Sequence, residues 1–462
     1  MGIHETMKLS RIDKLSVDLK QMGKEESLAR RRAFSVGLAC GDDVALSYTM
    51  QVAVLTAARI ACRCFPGAVR VTLGPNLAQA PLLLWPQLKL NFGQALDEIL
   101  GPGWRADGIA RPAARTLIFG NAAPVERAVR VTFDGWIAKV GPSDRLGRLA
   151  EREYFAVTGI LAAALALSEI FLSFAEINIE AGRRIVGMSL WRPYLDVDNA
   201  AALGKPAEYL PGDLWTLGLG HLGNAYLWCL AALPYEDPRA VEFLLCDFDR
   251  VEPENIETGV IFEALDEDRL KPRACSVWLE RRLFRTRLME RRFDGTFRRH
   301  AKEPGLALSG FDSNEVRRDL VTAAFSRVID CGLGGTARNF DTIGFHTWPN
   351  PRPADELWPV PTPEEEQERV ERIVQGNSAY EAIAEDDCGR AELAGKSVAV
   401  PFVGAVAASL VVAEAVRMLH DGPAYTDIKL KLGSPMTCFG QTVRNYGAAD
   451  LEGLRYCTVR KR

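Results

Sequence analysis

Residues 213–223 read Asp-Leu-Trp-Thr-Leu-Gly-Leu-Gly-His-Leu-Gly, and residues 241–249 read Val-Glu-Phe-Leu-Leu-Cys-Asp-Phe-Asp. The first stretch begins as a short apolar run, which predicts a strand. Glycines break it, and the apolar run His221–Leu233 that follows predicts a helix. Gly218, Gly220 and Gly223 have the G-x-G-x-x-G spacing. Glycines so placed permit a tight turn and let a phosphate approach the backbone at a helix N-terminus. The second stretch predicts the next strand, with Asp247 at its end, a placement that suits hydrogen bonding to ribose hydroxyls. Strand, glycine turn, helix and strand together predict a nucleotide-binding α/β unit.

Outward from this unit the alternation continues. The pattern predicts an Arg-rich helix over Asp268–Thr286, strands at Gly305–Gly310 and Arg327–Gly332, and a helix over Glu315–Phe325 between them. Such alternation implies a parallel sheet with right-handed crossovers. Residues 348–387 are rich in Pro and Glu and predict a mobile loop or short helix. An apolar helix resumes after Val398, and strand-like pieces follow from Tyr425.

The N-terminal part repeats the order in a weaker form. A strand ending in a loop is predicted over Arg32–Val44, a helix over Leu46–Arg63 and a strand over Ala68–Leu73. That loop has no G-x-G-x-x-G, and Leu73-Gly74 stands where the acid would be. Residues 159–169 also align without a gap on 404–414, matching at Gly, Ala-Ala, Leu and Glu. Two copies follow: a degenerate one over 1–205 and an intact one over 206–462, with a crossover segment at about 346–395.

Composition narrows the class. The 462 residues carry 56 Lys+Arg against 60 Asp+Glu, a formal net charge of −4, with 48% hydrophobic residues. This balance gives no support for sequence-independent nucleic-acid binding, and the apolar content excludes wholesale disorder. The apolar runs Phe155–Leu167 and Val398–Ala413 fall short of the roughly 20 residues that span a bilayer. They predict buried core helices and no membrane partner. Met1-Gly2 with Thr6 fits only the loose myristoylation pattern. The N-terminus lacks the apolar stretch of a signal peptide, and the ten Cys have no regular spacing. A reducing, cytoplasmic setting is expected. Paired CxxC motifs are absent, so no zinc site is expected. The histidines are too scattered to suggest a metal site, and His221 is expected to point outward from its loop.

Beyond Asp247 the residues argue for a particular chemistry. Asp249 and Asn255 follow the strand, and Lys271 opens the next helix. Asp312 and Arg317 follow another strand in Ser309–Arg318. Lysine is rare here, and Lys271 is the only one between Lys205 and Lys302. Hydride transfer needs no such set. Adenylyl transfer does: a Lys neutralises charge at the α-phosphate, and an acid holds Mg²⁺.

These residues resemble the ThiF/MoeB/ubiquitin-activating (E1) superfamily of ATP-dependent adenylyltransferases. The family pattern is a G-x-G-x-x-G loop, Asp-x-Asp, Ser-Asn-Leu-x-Arg-Gln, a Lys, and Asp-Asn-x-x-x-Arg. Asp247, Asp249, Asn255, Lys271, Asp312 and Arg317 fit it, over roughly 210–345 plus the helix near 398–418. The resemblance implies ATP bound by Gly218, Gly220, Gly223, Asp247, Asp249, Asn255, Lys271 and Arg317, with Mg²⁺ on Asp312. Two positions depart: Glu254 replaces the Ser, and Thr258 replaces an Arg that touches the phosphates. Arg30, Arg31 and Arg32, beside the degenerate copy, are candidates to supply that cation, with a solvated charge run as the alternative.

An inactive copy fused to an active one resembles the E1 enzymes of ubiquitin-like conjugation, and by size those of bacterial antiphage conjugation operons. The implied substrate is the C-terminal carboxylate of a ubiquitin-like protein, with an E2-like partner downstream. Cys388, in Glu385-Asp-Asp-Cys-Gly-Arg390, is the expected thioester nucleophile, because family members carry theirs in the crossover region. Cys246 and Cys331 are expected to be buried in strands. The alternatives are a sulfur-carrier adenylyltransferase, a non-catalytic E1-like scaffold, and a nicotinamide-dependent oxidoreductase.

Overall fold

The structure, a computed structural model, describes residues 10–101, 104, 113–375, 377–380, 387–435, 438–446, 451 and 453–460. Two sheets organise it. The first is built from β1 (Ser35–Cys40), β2 (Ala68–Leu73), β3 (Arg115–Phe119), β4 (Ala128–Asp134), β5 (Ile137–Pro142) and β6 (Val186–Ser189), in the order β2-β1-β3-β4-β5-β6. Its helices are α1 (Asp13–Lys20), α2 (Lys24–Ala33), α3 (Tyr48–Cys64), α4 (Phe92–Leu100) and α5 (Val157–Phe174).

The second sheet contains β7 (Tyr209–Leu217), β8 (Glu242–Cys246), β9 (Arg285–Met289), β10 (Leu306–Ser309), β11 (Arg327–Leu333), β12 (Thr342–Trp348), β13 (Pro423–Lys431) and β14 (Phe439–Asn445). The order is β14-β13-β12-β11-β10-β7-β8-β9, and β15 (Arg455–Thr458) pairs with the start of β7. Its helices are α6 (His221–Ala231), α7 (Pro253–Thr258), α8 (Lys271–Glu280), α9 (Asn314–Asp319), α10 (Ala354–Leu357), α11 (Pro363–Gln375), α12 (Asp387–Gly395) and α13 (Pro401–Arg417).

The two halves share one topology. In the first, β1 pairs in parallel with β2 and β3, β3 in parallel with β4, and β5 and β6 close the run antiparallel. In the second, β7 stands for β1, with β8, β10, β11, β12 and β13 in the same places and the same directions. The long helices correspond too: α5 lies between β5 and β6, and α13 between β12 and β13. This is an α/β Rossmann-like adenylation fold with a second, N-terminal copy, arranged as a pseudo-dimer.

The halves meet through their apolar helices. α3 packs on α5, α5 on α13, and α13 on α6. Both α5 and α13 are apolar on all sides, which suits helices enclosed by protein. They are also long and apolar enough to cross a membrane, and windows covering them are 89% and 94% buried. Phe171 and Phe402 meet across the seam at 5.3 Å. The aligned glycines do the same work in each half. Gly159 lies against Thr49 at the start of α3, and Gly404 lies against His221 at the start of α6. The aligned glutamates also match. Glu169 accepts the Gly182 amide and pairs with Arg184, while Glu414 accepts the Tyr425 amide and pairs with Arg417.

Three local readings change. The helix expected over Asp268–Thr286 stops at Glu280, because Leu283 takes a left-handed φ of 67° and turns the chain into edge strand β9. The helix expected over Glu315–Phe325 is α9 with a 3₁₀ turn at Leu320–Thr322. Of the loop or short helix expected over 348–387, the described residues show helices α10 and α11, and the segment is anchored. Trp358 is buried and donates its indole N–H to Asp330 at 3.1 Å. Tyr380 is buried against α1, donating to Asp18 and accepting from Lys14.

A Gly159→Ala change should be costly, because its Cβ would overlap the Thr49 backbone carbonyl, which cannot rotate away. We expect a loss of about 1–3 kcal/mol, read as a lower urea midpoint. Gly147→Ala, whose Cβ meets nothing within 4 Å, is the control and should change little.

Candidate active site

The sheet order of the second half sets the location. From β7 the chain runs outward through β8 and β9, then returns across β7 to β10 and β11. Strand order therefore reverses between β7 and β10, and a crevice at the carboxyl ends of such strands is where ligands bind in open α/β sheets. The glycine turn follows β7, and the Gly310–Ser313 loop follows β10. Gly310 donates to the Leu217 carbonyl at 2.8 Å.

Each glycine has its own reason. Gly218 has φ +74°, a conformation disfavoured for residues with a Cβ. Gly223 packs onto the Gly218 carbonyl with no room for a Cβ. Gly220 has open space where its Cβ would point. The first-turn amides of α6 have no intrahelical acceptors, so this N-terminus offers donors and a positive dipole end. The other end of α6 is tied to the first half: Tyr48 donates to the Ala232 carbonyl and Trp85 to that of Ala231, at 3.1 and 2.7 Å.

Asp247 locks the turn. Its Oδ2 accepts the Leu219 amide at 2.6 Å, and its Oδ1 accepts the Asp249 amide at 2.9 Å. Burial raises its pKa, and nearby Lys271 and these amides oppose the rise. Each oxygen keeps a second lone pair for a ligand hydroxyl. Lys271 is buried, 7% exposed, and its Nζ donates to half-exposed Asp249 at 3.0 Å. Asn255 uses its Oδ1 to accept the Glu252 amide, capping α7. Asp312 is exposed in the loop after β10.

Arg317 is buried below this loop. It donates to Asn314 at 2.8 Å, to the Phe311 carbonyl and to the Cys331 carbonyl at 3.0 Å, and pairs with Asp330 at 3.3 Å. Its guanidinium is thus engaged by protein groups, and it shapes the loop that carries Asp312.

Two of the three clustered arginines are engaged by carboxylates. Arg30 pairs with Glu176, and Arg32 is exposed. Arg31 is buried between Asp13 and Glu257, at 2.7 and 2.8 Å, and so joins α2 to the back of α7. Burial lowers the pKa of His221, and the charge of nearby Arg11 adds to the lowering.

His221 points inward, correcting the outward orientation expected for it. Its Nδ1 lies 2.8 Å from the Thr258 carbonyl, which only accepts, so Nδ1 carries the proton. Nε2 is buried against Gly404. Asn224, unmarked by any motif, is fully buried and accepts the Val260 and Ile261 amides, fixing the chain after α7.

The crossover segment is tied to both walls. At one end Asn314 donates to the Pro359 carbonyl and Arg318 to that of Trp358, at 2.7 and 2.8 Å. At the other, Lys396 reaches Glu254 on α7 at 3.3 Å. Cys388 lies on α12 between them; its side chain is outside the described residues. Cys246 and Cys331 are buried in β8 and β11, and burial pushes the Cys246 thiol up to about 12.

The first half departs at the equivalent position. Its β1–α3 turn carries Asp42 and Asp43. Asp43 accepts the Asn121 amide at 2.9 Å and pairs with Arg148 at 2.7 Å, and Asp42 packs on Gly74.

A glycine turn at the switch point of one half, with a carboxylate-bearing counterpart in the other, defines a protein of the E1-like adenylation fold. Comparison agrees. The family described as the BilD C-terminal domain matches residues 210–422, and the BilD N-terminal domain matches 35–190. The bacterial E1-like protein BilD of Collimonas sp. (strain OK412) is 34% identical over 415 residues, covering 88% of this chain and 87% of the relative. The chain belongs to the BilD family of bacterial E1-like proteins. Among solved structures, E. coli MccB with succinimide is similar at 15% identity and TM-score 0.34, over 54% of this chain and 66% of that one. Another MccB structure gives 13% and 0.35, over 70% and 76%.

His221 generates a pH prediction. Burial pushes its pKa down to about 4, below the usual value of about 6.5. As pH falls, the unfolded chain therefore takes up this proton first. The stability is whole above about pH 6.5 and is lost progressively towards pH 4, by about 2 kcal/mol at pH 5. Urea unfolding at pH 7.5 and 5 should show a smaller loss for His221→Gln than for the native chain.

Proposed function

We propose that the chain adenylates the C-terminal carboxylate of a ubiquitin-like protein with ATP·Mg²⁺, then takes the acyl group as a thioester on Cys388. The observation that carries this reading is the convergence, at one switch point, of free helix amides, a buried lysine and an exposed aspartate.

Roles follow from chemistry. The turn of Gly218, Gly220 and Gly223 and the first amides of α6 receive phosphate oxygens. Asp247 uses its remaining lone pairs for ribose hydroxyls, and Asn255, capping α7, is assigned a further contact to the nucleotide. Asp312 would hold Mg²⁺, which when bound would offset the phosphate charge. The carboxylate oxygen attacks the α-phosphorus, a phosphorus–oxygen bond forms, and the bond to pyrophosphate breaks. Lys271 leaves Asp249 to stabilise the charge that develops, and Asp249 accepts it back afterwards. Arg317 positions the Asp312 loop. Arg11, with no carboxylate partner among the described residues, is our candidate for the cation missing at Thr258. The Cys388 thiolate then attacks the acyl carbon and AMP leaves.

The first half should not bind nucleotide, because Asp42 and Asp43 would face the phosphates and like charges repel. Residues 1–205 then serve as a degenerate domain that braces the active one, 206–462. An E2-like protein or a target would accept the thioester. The nine described cysteines are free, which fits a reducing cytoplasm.

ATP–pyrophosphate exchange with the cognate ubiquitin-like protein tests the reading. Lys271→Ala and Asp312→Ala should each lower exchange by about 10²-fold or more with unchanged melting. Normal exchange in either would remove its assigned role. Cys388→Ala should keep exchange and lose the thiol-sensitive adduct on a non-reducing gel. An adduct that persists would move the nucleophile to another cysteine. No exchange in the native chain would favour the scaffold reading.

A further inference from the structure

A second cavity, of about 220 Å³, opens between the halves near the opposite end of α6 from the glycine turn. The residues before and along α4 wall it on one side, and α6 and α8 on the other. Three indoles form its base. Trp228 and Trp278 stack at 5.7 Å, and Trp85 meets each edge-on at 5.4 and 5.5 Å. Leu90 and Ile99 add apolar wall.

Arg282 lies between two of those rings, its guanidinium 3.6 Å from the Trp278 centroid and 4.0 Å from that of Trp85. It is 5% exposed. One nitrogen donates to the Trp278 carbonyl at 2.8 Å, while Nε is buried without a partner. No carboxylate pairs with it among the described residues. The other charges around the cavity are accounted for. Arg281 pairs with Glu98, and Arg59 and Arg63 share Glu263. The two carboxylates are thus taken by three other arginines, and Arg282 is a buried cation left over. A buried charge is costly unless paired, and indole faces offset only part of that cost.

We propose that this cavity binds a small apolar carboxylate, whose charge pairs with Arg282 and whose apolar body lies against the tryptophans. One surplus cation calls for a monoanion. The planar guanidinium matches a carboxylate, and the apolar wall disfavours a multiply charged phosphate. The volume is below the roughly 300 Å³ where drug-sized pockets begin, so the ligand is fragment-sized. It is a free acid or the last residue of a peptide chain. The inference stands apart from the nucleotide crevice and does not rest on the proposed activity.

The test titrates the full chain with phenylacetate, with uncharged phenylacetamide, and with a short peptide ending in phenylalanine as free acid or amide. Tryptophan emission and melting temperature are the readouts. A carboxylate form should bind about tenfold or more tightly than its amide, change the emission and raise the melting temperature. Arg282→Met should erase the preference for charge. Ala95→Leu, which fills the cavity from α4, should abolish binding, and it keeps the test decisive if the arginine variant does not fold. Binding by phenylacetate alone identifies a free acid, and binding by the peptide acid alone identifies a chain terminus. Equal binding of acid and amide, no binding of any probe at about 1 mM, or binding undiminished in Ala95→Leu would overturn the proposal.

Discussion

The structure depends on the contact between α5 and α13. Two helices with no polar face cannot stand in water, and each is enclosed by its own sheet, a neighbouring helix and the other. Gly159 and Gly404 let each of them approach the start of its neighbour, α3 or α6. The second contact fixes the candidate site. α6 is held by Gly404 at one end and capped by Tyr48 and Trp85 at the other. The first half therefore braces the helix whose N-terminus faces the crevice.

Shared topology with divergent turns explains the asymmetry. Both halves keep the strand order, the paired long helices and the buried glutamates. They part at the turn after the central strand. One half has glycines there, leaving backbone amides and space. The other has Asp42 and Asp43, which use neighbouring amides and Arg148 to satisfy themselves.

Much of this was legible in the sequence, and the omissions have physical causes. The glycine turn, its flanking strands and Asp247 announce themselves, because few residue types fit those backbone positions. The repeat was visible in an eleven-residue helix register, although the strand-by-strand correspondence was not, since β3 to β6 carry no motif. Asn224 and His221 were not legible as packing residues, because their roles depend on α7 and α13 lying beside α6. Arg11, our candidate cation, was not singled out for the same reason. A run of three arginines was the stronger sequence signal, yet Arg30 and Arg31 are engaged by Glu176, Asp13 and Glu257. The start of edge strand β9, Arg285 and Thr286, was read as helix, because pairing with β8 outweighs local propensity. Cys388 rests on sequence and family pattern alone.

The central claim is that one half holds nucleotide and the other does not. Calorimetric titration of the chain with ATP and Mg²⁺ measures this directly as a stoichiometry. The account predicts one equivalent per chain, abolished by Gly220→Trp, whose ring would enter the crevice at a position with open space for a side chain. Two equivalents, or one that survives this substitution, would contradict it.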